Sequence, residues 1–158
     1  MGPTPADPVF VDTTVLSNYA STDGTATLHE ILGSAVVVPS VRRELTQGAN
    51  HGHSYLESAI RYVDDELGSA SVQPGLPAGS TVHDRLDEGE ADALLAAGDR
   101  GGTLASDDLA ARRLAQDRGI PVTGSVGILA LGVTEGVLSI DTADDWLQTW
   151  RVQRGYYT

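Results

Sequence analysis

Four short, largely apolar runs frame this chain: Val9-Phe10-Val11, Ala35-Val36-Val37-Val38, Thr103-Leu104-Ala105-Ser106 and Ile120-Pro121-Val122-Thr123. Runs of this length without strict polar alternation are the pattern of parallel strands buried on both faces. The stretches between them carry a helical period. A helix follows Asp12 through Val15 and Leu16 to Tyr19, and Leu28 to Leu32 mark a short one stopped by Gly33. Val41 and Leu45 share a face on the next, which Ser40 is placed to cap. Ser54 is placed to cap a longer helix. Tyr55, Leu56, Ala59, Ile60, Val63 and Leu67 draw its core face, and Asp64-Asp65-Glu66 form its solvated end. Ala91, Leu94 and Leu95 draw the stripe of another, opened by Asp87 and Glu90 at capping-box spacing. Asp107 or Asp108 caps a helix from Leu109 to Gln116, closed by Gly119. Val126–Gly132 and Asp141–Thr149 complete the helices. Strand and helix alternating in this way predict an α/β domain around a parallel sheet.

Residues 1–8, rich in proline and small side chains, are expected to form a flexible N-terminal tail, and residues 9–158 a single domain. Gln73 to Ser80 reads as a connection within that domain. The 158 residues and 41% apolar content suffice for one core. No apolar run approaches the ~18 residues of a membrane span. No signal-peptide pattern and no cysteine are present, so the expectation is a cytoplasmic protein without a membrane partner. Trp146, Trp150, Tyr156 and Tyr157 gather near the C-terminus, where they can dock on the body or on a second subunit.

The charge changes the picture. The net value is −12, and every basic residue is arginine. Such acidity ordinarily repels nucleic acid. Acidity without lysine is also the composition of a halophilic protein, and molar salt shrinks the Debye length to ~3 Å. Repulsion of a polyanion then becomes local.

In an open parallel sheet, ligands bind beyond the carboxyl ends of the strands. Acids stand at such places here. Asp12 follows the first run, Glu44 lies in the helix after the second, and Asp107 and Asp108 follow the third. Glu90 and Asp92 open the preceding helix, about 100° either side of Ala91. Helix geometry does not choose between them. Converging carboxylates repel one another unless a cation is bound, and an all-oxygen site suits Mg2+ or Mn2+. Each acid also has a plainer role: Asp12 as a helix cap, Glu44 as a surface acid beside Arg43, Glu90 as half of a capping box. His51 and His53 sit two apart in a glycine loop without a third ligand and read as loop residues. No cysteine or clustered histidine supports a nucleophilic triad, and a receiver-type site lacks its lysine. Arg42, Arg43, Arg85, Arg112 and Arg113 suit either a groove for a nucleic-acid strand or surface ion pairs.

Four motifs, VFVDTTVLSNY, VVVPSVRREL, GEADALLAA and LASDDLAARRLAQDRGIPVTGSVGILA, together resemble the PIN-domain family, whose nucleases include VapC-type toxins. They span roughly Val9 to Leu138 in the family's order and spacing. The resemblance implies a three-layer α/β/α fold with a central parallel sheet. It also implies an endoribonuclease dependent on Mg2+ or Mn2+, with RNA as partner, a homodimer, and in a toxin–antitoxin pair a cognate antitoxin. By position it gives Asp12, Glu44, Glu90 and Asp107 catalytic and metal-binding roles, with Asp92 as a substitute for Glu90 and Asp108 beside Asp107. Thr14 and Ser106 match the hydroxyl residues that orient the acids. Arg42, Arg43 and Arg112 are the expected substrate-binding residues. Many members have Asp where this chain has Glu90. The alternative is a non-catalytic PIN-like module that binds RNA or a protein.

Overall fold

A computed structural model describes residues 8–67, 82 and 85–154. The expected tail up to residue 7, the Gln73–Ser80 connection and Tyr156-Tyr157 lie outside the described residues. β1 (Val9–Val11) leads through Asp12 into α1 (Thr13–Ser21), α2 (Thr25–Leu32) and β2 (Ala35–Val36). Next come α3 (Pro39–Asn50) and α4 (Leu56–Tyr62), which runs on as a π-helical turn, Val63–Leu67. α5 (Glu88–Arg100), β3 (Thr103–Ala105), α6 (Leu109–Asp117), β4 (Val122–Thr123), α7 (Ser125–Thr134) and α8 (Ile140–Arg154) complete the described chain.

The strands form one sheet, parallel throughout, in the order β2-β1-β3-β4. Helices on both faces make the expected three-layer α/β/α fold. The strand order has a consequence for function. From β1 the chain crosses to β2 on one side, and later sets β3 on the other. The carboxyl ends of β1 and β3 therefore bound the topological switch point, where open α/β sheets bind ligands. Val11 pairs with Ala105, and the Asp12 amide donates to the Ala105 carbonyl at 3.0 Å. Asp12 and Ser106 thus leave the sheet side by side.

β1 and β3 are buried along their whole length, which explains their unbroken apolar runs. α5 packs against both strands and against α3. Phe10, Leu16, Leu94, Leu104 and Ile128 are fully buried, each worth about 1.5–3 kcal/mol of transfer free energy. The tryptophans of α8 dock on the body. Tyr19 of α1 meets Trp146 edge-on at 6.0 Å and Trp150 at 5.1 Å between ring centroids.

Three local expectations differ from the structure. Ser40 does not cap α3. The N-cap is Val38, and Pro39 fills the first turn, where no amide hydrogen is needed. Ser40 instead donates to Asp92 at 2.5 Å. Ser54 does not cap α4, because the His53 and Ser54 carbonyls of the preceding turn take the amides of Leu56 and Glu57. Asp87 occupies the N-cap position of α5 but its side chain makes no capping bond, so no capping box with Glu90 forms.

Candidate functional site

Four of the helices that begin at the carboxyl edge of the sheet meet an acid at their start. Asp12 caps α1 directly: its Oδ1 accepts from the amides of Thr14 (3.0 Å) and Val15 (3.3 Å) and from the Thr14 hydroxyl (2.5 Å). Asp108 caps α6, accepting from the Ala111 amide at 2.9 Å. The other two caps come from elsewhere in the chain. Glu44 reaches from α3 to the start of α5 and accepts from the Gly89 amide at 3.0 Å, while its other oxygen accepts from the Thr13 hydroxyl at 2.6 Å. Asp107 accepts from the Ser125 amide at 2.7 Å, at the start of α7. The exposed amides and partial positive charge of a helix N-terminus stabilise a carboxylate. Backbone amides at helix starts thus hold four of these acids in place.

Two of these contacts require glycine. A Cβ at Gly89 would lie 2.7 Å from Glu44 Cδ. A Cβ at Gly124 would lie 2.7 Å from both Asp107 Oδ1 and Arg112 Nη1. Two hydroxyls lock the geometry further. The Thr14 hydroxyl, which donates to Asp12, accepts from the Asp107 amide at 3.0 Å. Ser106 Oγ accepts from the Asp108 amide at 3.1 Å.

Asp12 is wholly buried, and among the described residues its Oδ2 has no hydrogen-bond partner. Burial pushes its carboxyl up to about 7. The Ser106 and Thr14 hydroxyls and the Val15 amide oppose that rise, and the charge of Asp107 adds to it. Ser106 exerts this pull without completing a hydrogen bond to Oδ2. Glu90 is half-buried and is pushed up to about 8, first by burial, then by the charges of Asp108, Asp12, Asp87 and Glu44. It lines an open cleft of about 310 Å³ with Arg85, Leu86, Asp87, Asp108 and Ala110.

These residues fit a divalent cation in one specific way. Among the described residues Asp12 Oδ2 is a buried acceptor with no completed hydrogen bond, and Glu90 forms no ion pair. A cation between them would satisfy both. Among the described residues no three acids or histidines stand together as a group able to hold an ion. Mg2+ commonly takes one or two carboxylates and keeps its remaining waters, so a pair of carboxylates is within its chemistry.

A family model for the PIN domain matches residues 8–158. The chain belongs to the PIN-domain family. No curated protein matches it. In the PIN domain Asp12 feels the charge of Asp107, and Glu90 feels those of Asp108, Asp12, Asp87 and Glu44. Asp92 lies elsewhere in its bonding: it is buried and accepts from Ser40 where α3 meets α5. Glu90 feels the charges of four other acids and lines the cleft.

The expected substrate-binding arginines are otherwise engaged in this PIN domain. Arg42 forms a two-pronged ion pair with Asp64, 2.8 Å at each contact, and Arg43 pairs with Glu88 at 2.7 Å. Both pairs are exposed, and such pairs exchange readily with solvent. Arg112 donates to the Ser106 carbonyl at 3.0 Å and braces the end of β3. Arg85 is the arginine that lines the cleft. His51 and His53 are exposed, as expected of loop residues. Reading along the sequence missed Asn18 and Ser125, which both bond to the Asp107 carboxylate. One signal was available: a helix that begins after Gly124 has no side chain to cap it and must borrow a cap.

Proposed function

We propose that this PIN domain is a divalent-metal-dependent endoribonuclease, with Mg2+ or Mn2+ held at Asp12 and Glu90 and RNA as its substrate. The observation that carries the reading is the buried Oδ2 of Asp12, without a hydrogen-bond partner among the described residues, in electrostatic reach of the half-buried Glu90. Such an ion, held by Asp12 and Glu90, would neutralise phosphate charge and lower the pKa of a bound water, so that hydroxide is available to attack a phosphodiester. Asp12 and Glu90 would hold the cation once their protons are displaced. Glu44, Asp107 and Asp108 keep the surrounding field acidic while tied to helix N-termini. Thr14 and Ser106 orient the acids, and Arg85 offers a cation for the RNA backbone at the cleft. A toxin role, a cognate antitoxin and a homodimer extend this proposal by family resemblance alone.

A second reading is a non-catalytic module that binds RNA or a protein. The lack of a three-ligand group among the described residues favours it. Incubation of the purified protein with single-stranded RNA separates the two. Cleavage in Mn2+ that is lost in EDTA, and lost in Asp12→Asn, supports the nuclease. RNA that binds and stays intact in Mn2+ supports the module.

A further inference from the structure

Asp107 is held by a network that begins on the far side of α1. The indole Nε1 of Trp150, on α8, donates to the Asn18 carbonyl at 2.8 Å. Asn18 Nδ2 donates to Asp107 Oδ2 at 2.9 Å and to Ser125 Oγ at 3.1 Å. Ser125 closes the ring: its amide donates to Asp107 Oδ1 at 2.7 Å and its hydroxyl to Oδ2. Tyr19, the residue next to Asn18, donates its hydroxyl to the Ser125 carbonyl at 3.0 Å. Asn18, Ser125 and Trp150 are all buried. From Asp107 the chain of bonds continues through its amide to the Thr14 hydroxyl, and from there to Asp12 Oδ1.

Three donors thus converge on one carboxylate from two different helices. A carboxylate so bound has little freedom to rotate toward another partner. Asn18 and Ser125 hold its oxygens, and its amide meets the Thr14 hydroxyl that also donates to Asp12. A buried amide and hydroxyl would not be spent on a surface acid, because each must find partners to offset its own desolvation.

We propose that Asn18 and Ser125 are positioning residues that fix Asp107 beside Asp12, and that Trp150 of α8 holds Asn18 to that task. The proposal rests on the metal-dependent reading of the site. It assigns the C-terminal helix a role in the geometry of the carboxyl edge, although α8 contributes no acid to it.

Calorimetric titration with Mn2+ alone, followed by RNA cleavage, tests the proposal. Removal of a residue that orients a metal site typically costs 10- to 100-fold in metal affinity or activity. Asn18→Ala and Ser125→Ala should each weaken Mn2+ binding by about that factor. The double variant should lose little more than either single one, because both act through the same carboxylate. Ser125→Thr, which keeps the hydroxyl, should recover most of the affinity. Trp150→Phe, which keeps a ring and removes the N–H, should shift affinity in the same direction by less. Leu28→Val, a core change outside the hydrogen-bonded network, should lower Tm without changing Mn2+ affinity. Wild-type affinity in folded Asn18→Ala and Ser125→Ala, or losses that multiply in full in the double variant, would overturn the proposal. If the wild-type protein itself neither binds Mn2+ nor cleaves RNA, the metal-dependent reading fails, and this proposal with it. That outcome is read from the wild type and is distinct from failure in the variants.

Discussion

Asp12→Asn should stabilise the metal-free protein, and by an amount that grows with pH. The carboxyl of Asp12 is raised from 3.8 to about 7 by burial. Between those two values the folded state keeps a proton that the unfolded chain releases, so stability falls as pH rises. The fall is complete above the folded value and absent below the unfolded one. At ~1.4 kcal/mol per pKa unit, the penalty of ionising Asp12 reaches about 4 kcal/mol as an upper figure. Asparagine carries no charge, and its amide oxygen caps a helix nearly as well as aspartate. Any cost of placing its NH2 group near Ser106 does not depend on pH. The difference in stability between Asp12→Asn and wild type should therefore increase from about pH 4 to pH 8, by up to ~4 kcal/mol. In a domain of this size 1 kcal/mol moves Tm by roughly 2–4 °C, so even a third of the full effect is measurable. The assay is thermal unfolding of both proteins in EDTA across that range. A difference that stays constant with pH would refute the reasoning, since Asp12 would then act only as a cap.

Glu90 gives a linked prediction. Because the carboxyls of Asp12 and Glu90 hold protons up to about 7 and about 8, Mn2+ must displace them. Apparent affinity measured by calorimetry should rise with pH and level off near the Glu90 value, while in Glu90→Gln the overall affinity drops and the upper part of the rise disappears; affinity independent of pH would count against this pair. Gly89→Ala should push Glu44 off the start of α5 and lower both Tm and Mn2+ affinity, whereas Gly52→Ala, in an exposed turn, should leave Mn2+ affinity untouched. With a net charge of −12 and no lysine, the fold should melt higher in molar KCl than in dilute buffer, because screening relieves self-repulsion. A Tm that is equal or lower in molar KCl would show that the acidity is not an adaptation to salt.

Much of the fold was legible because its strands are short, central and buried. Val9-Phe10-Val11 and Thr103-Leu104-Ala105 carry that burial in their composition, and the acids that follow them mark the carboxyl edge. Asp12 and Asp108 were legible as caps because an N-cap is a local feature, read within a few residues. What escaped was tertiary. Glu90 and Asp92 flank the same stripe at equal angles, and only the placement of α3 and its Ser40 separates them. Arg42 and Arg43 looked available until Asp64 and Glu88 came within reach. Glu44 and Asp107 cap helices 45 and 18 residues away in sequence, so no local pattern announces them. Asn18 looked like one more polar position in α1, and its partners lie on β3's exit, α7 and α8.

The central claim is that a divalent cation sits at Asp12 and Glu90. A crystal soaked in Mn2+ and measured at the manganese absorption edge tests it directly. The expected result is an anomalous peak within coordination distance of Asp12 Oδ2 and of a Glu90 oxygen, with Glu44 and Asp107 still bonded to Gly89 and Ser125. A peak at Asp92 or at His51 and His53, or an ordered Asp12 with no peak beside it, would contradict the claim.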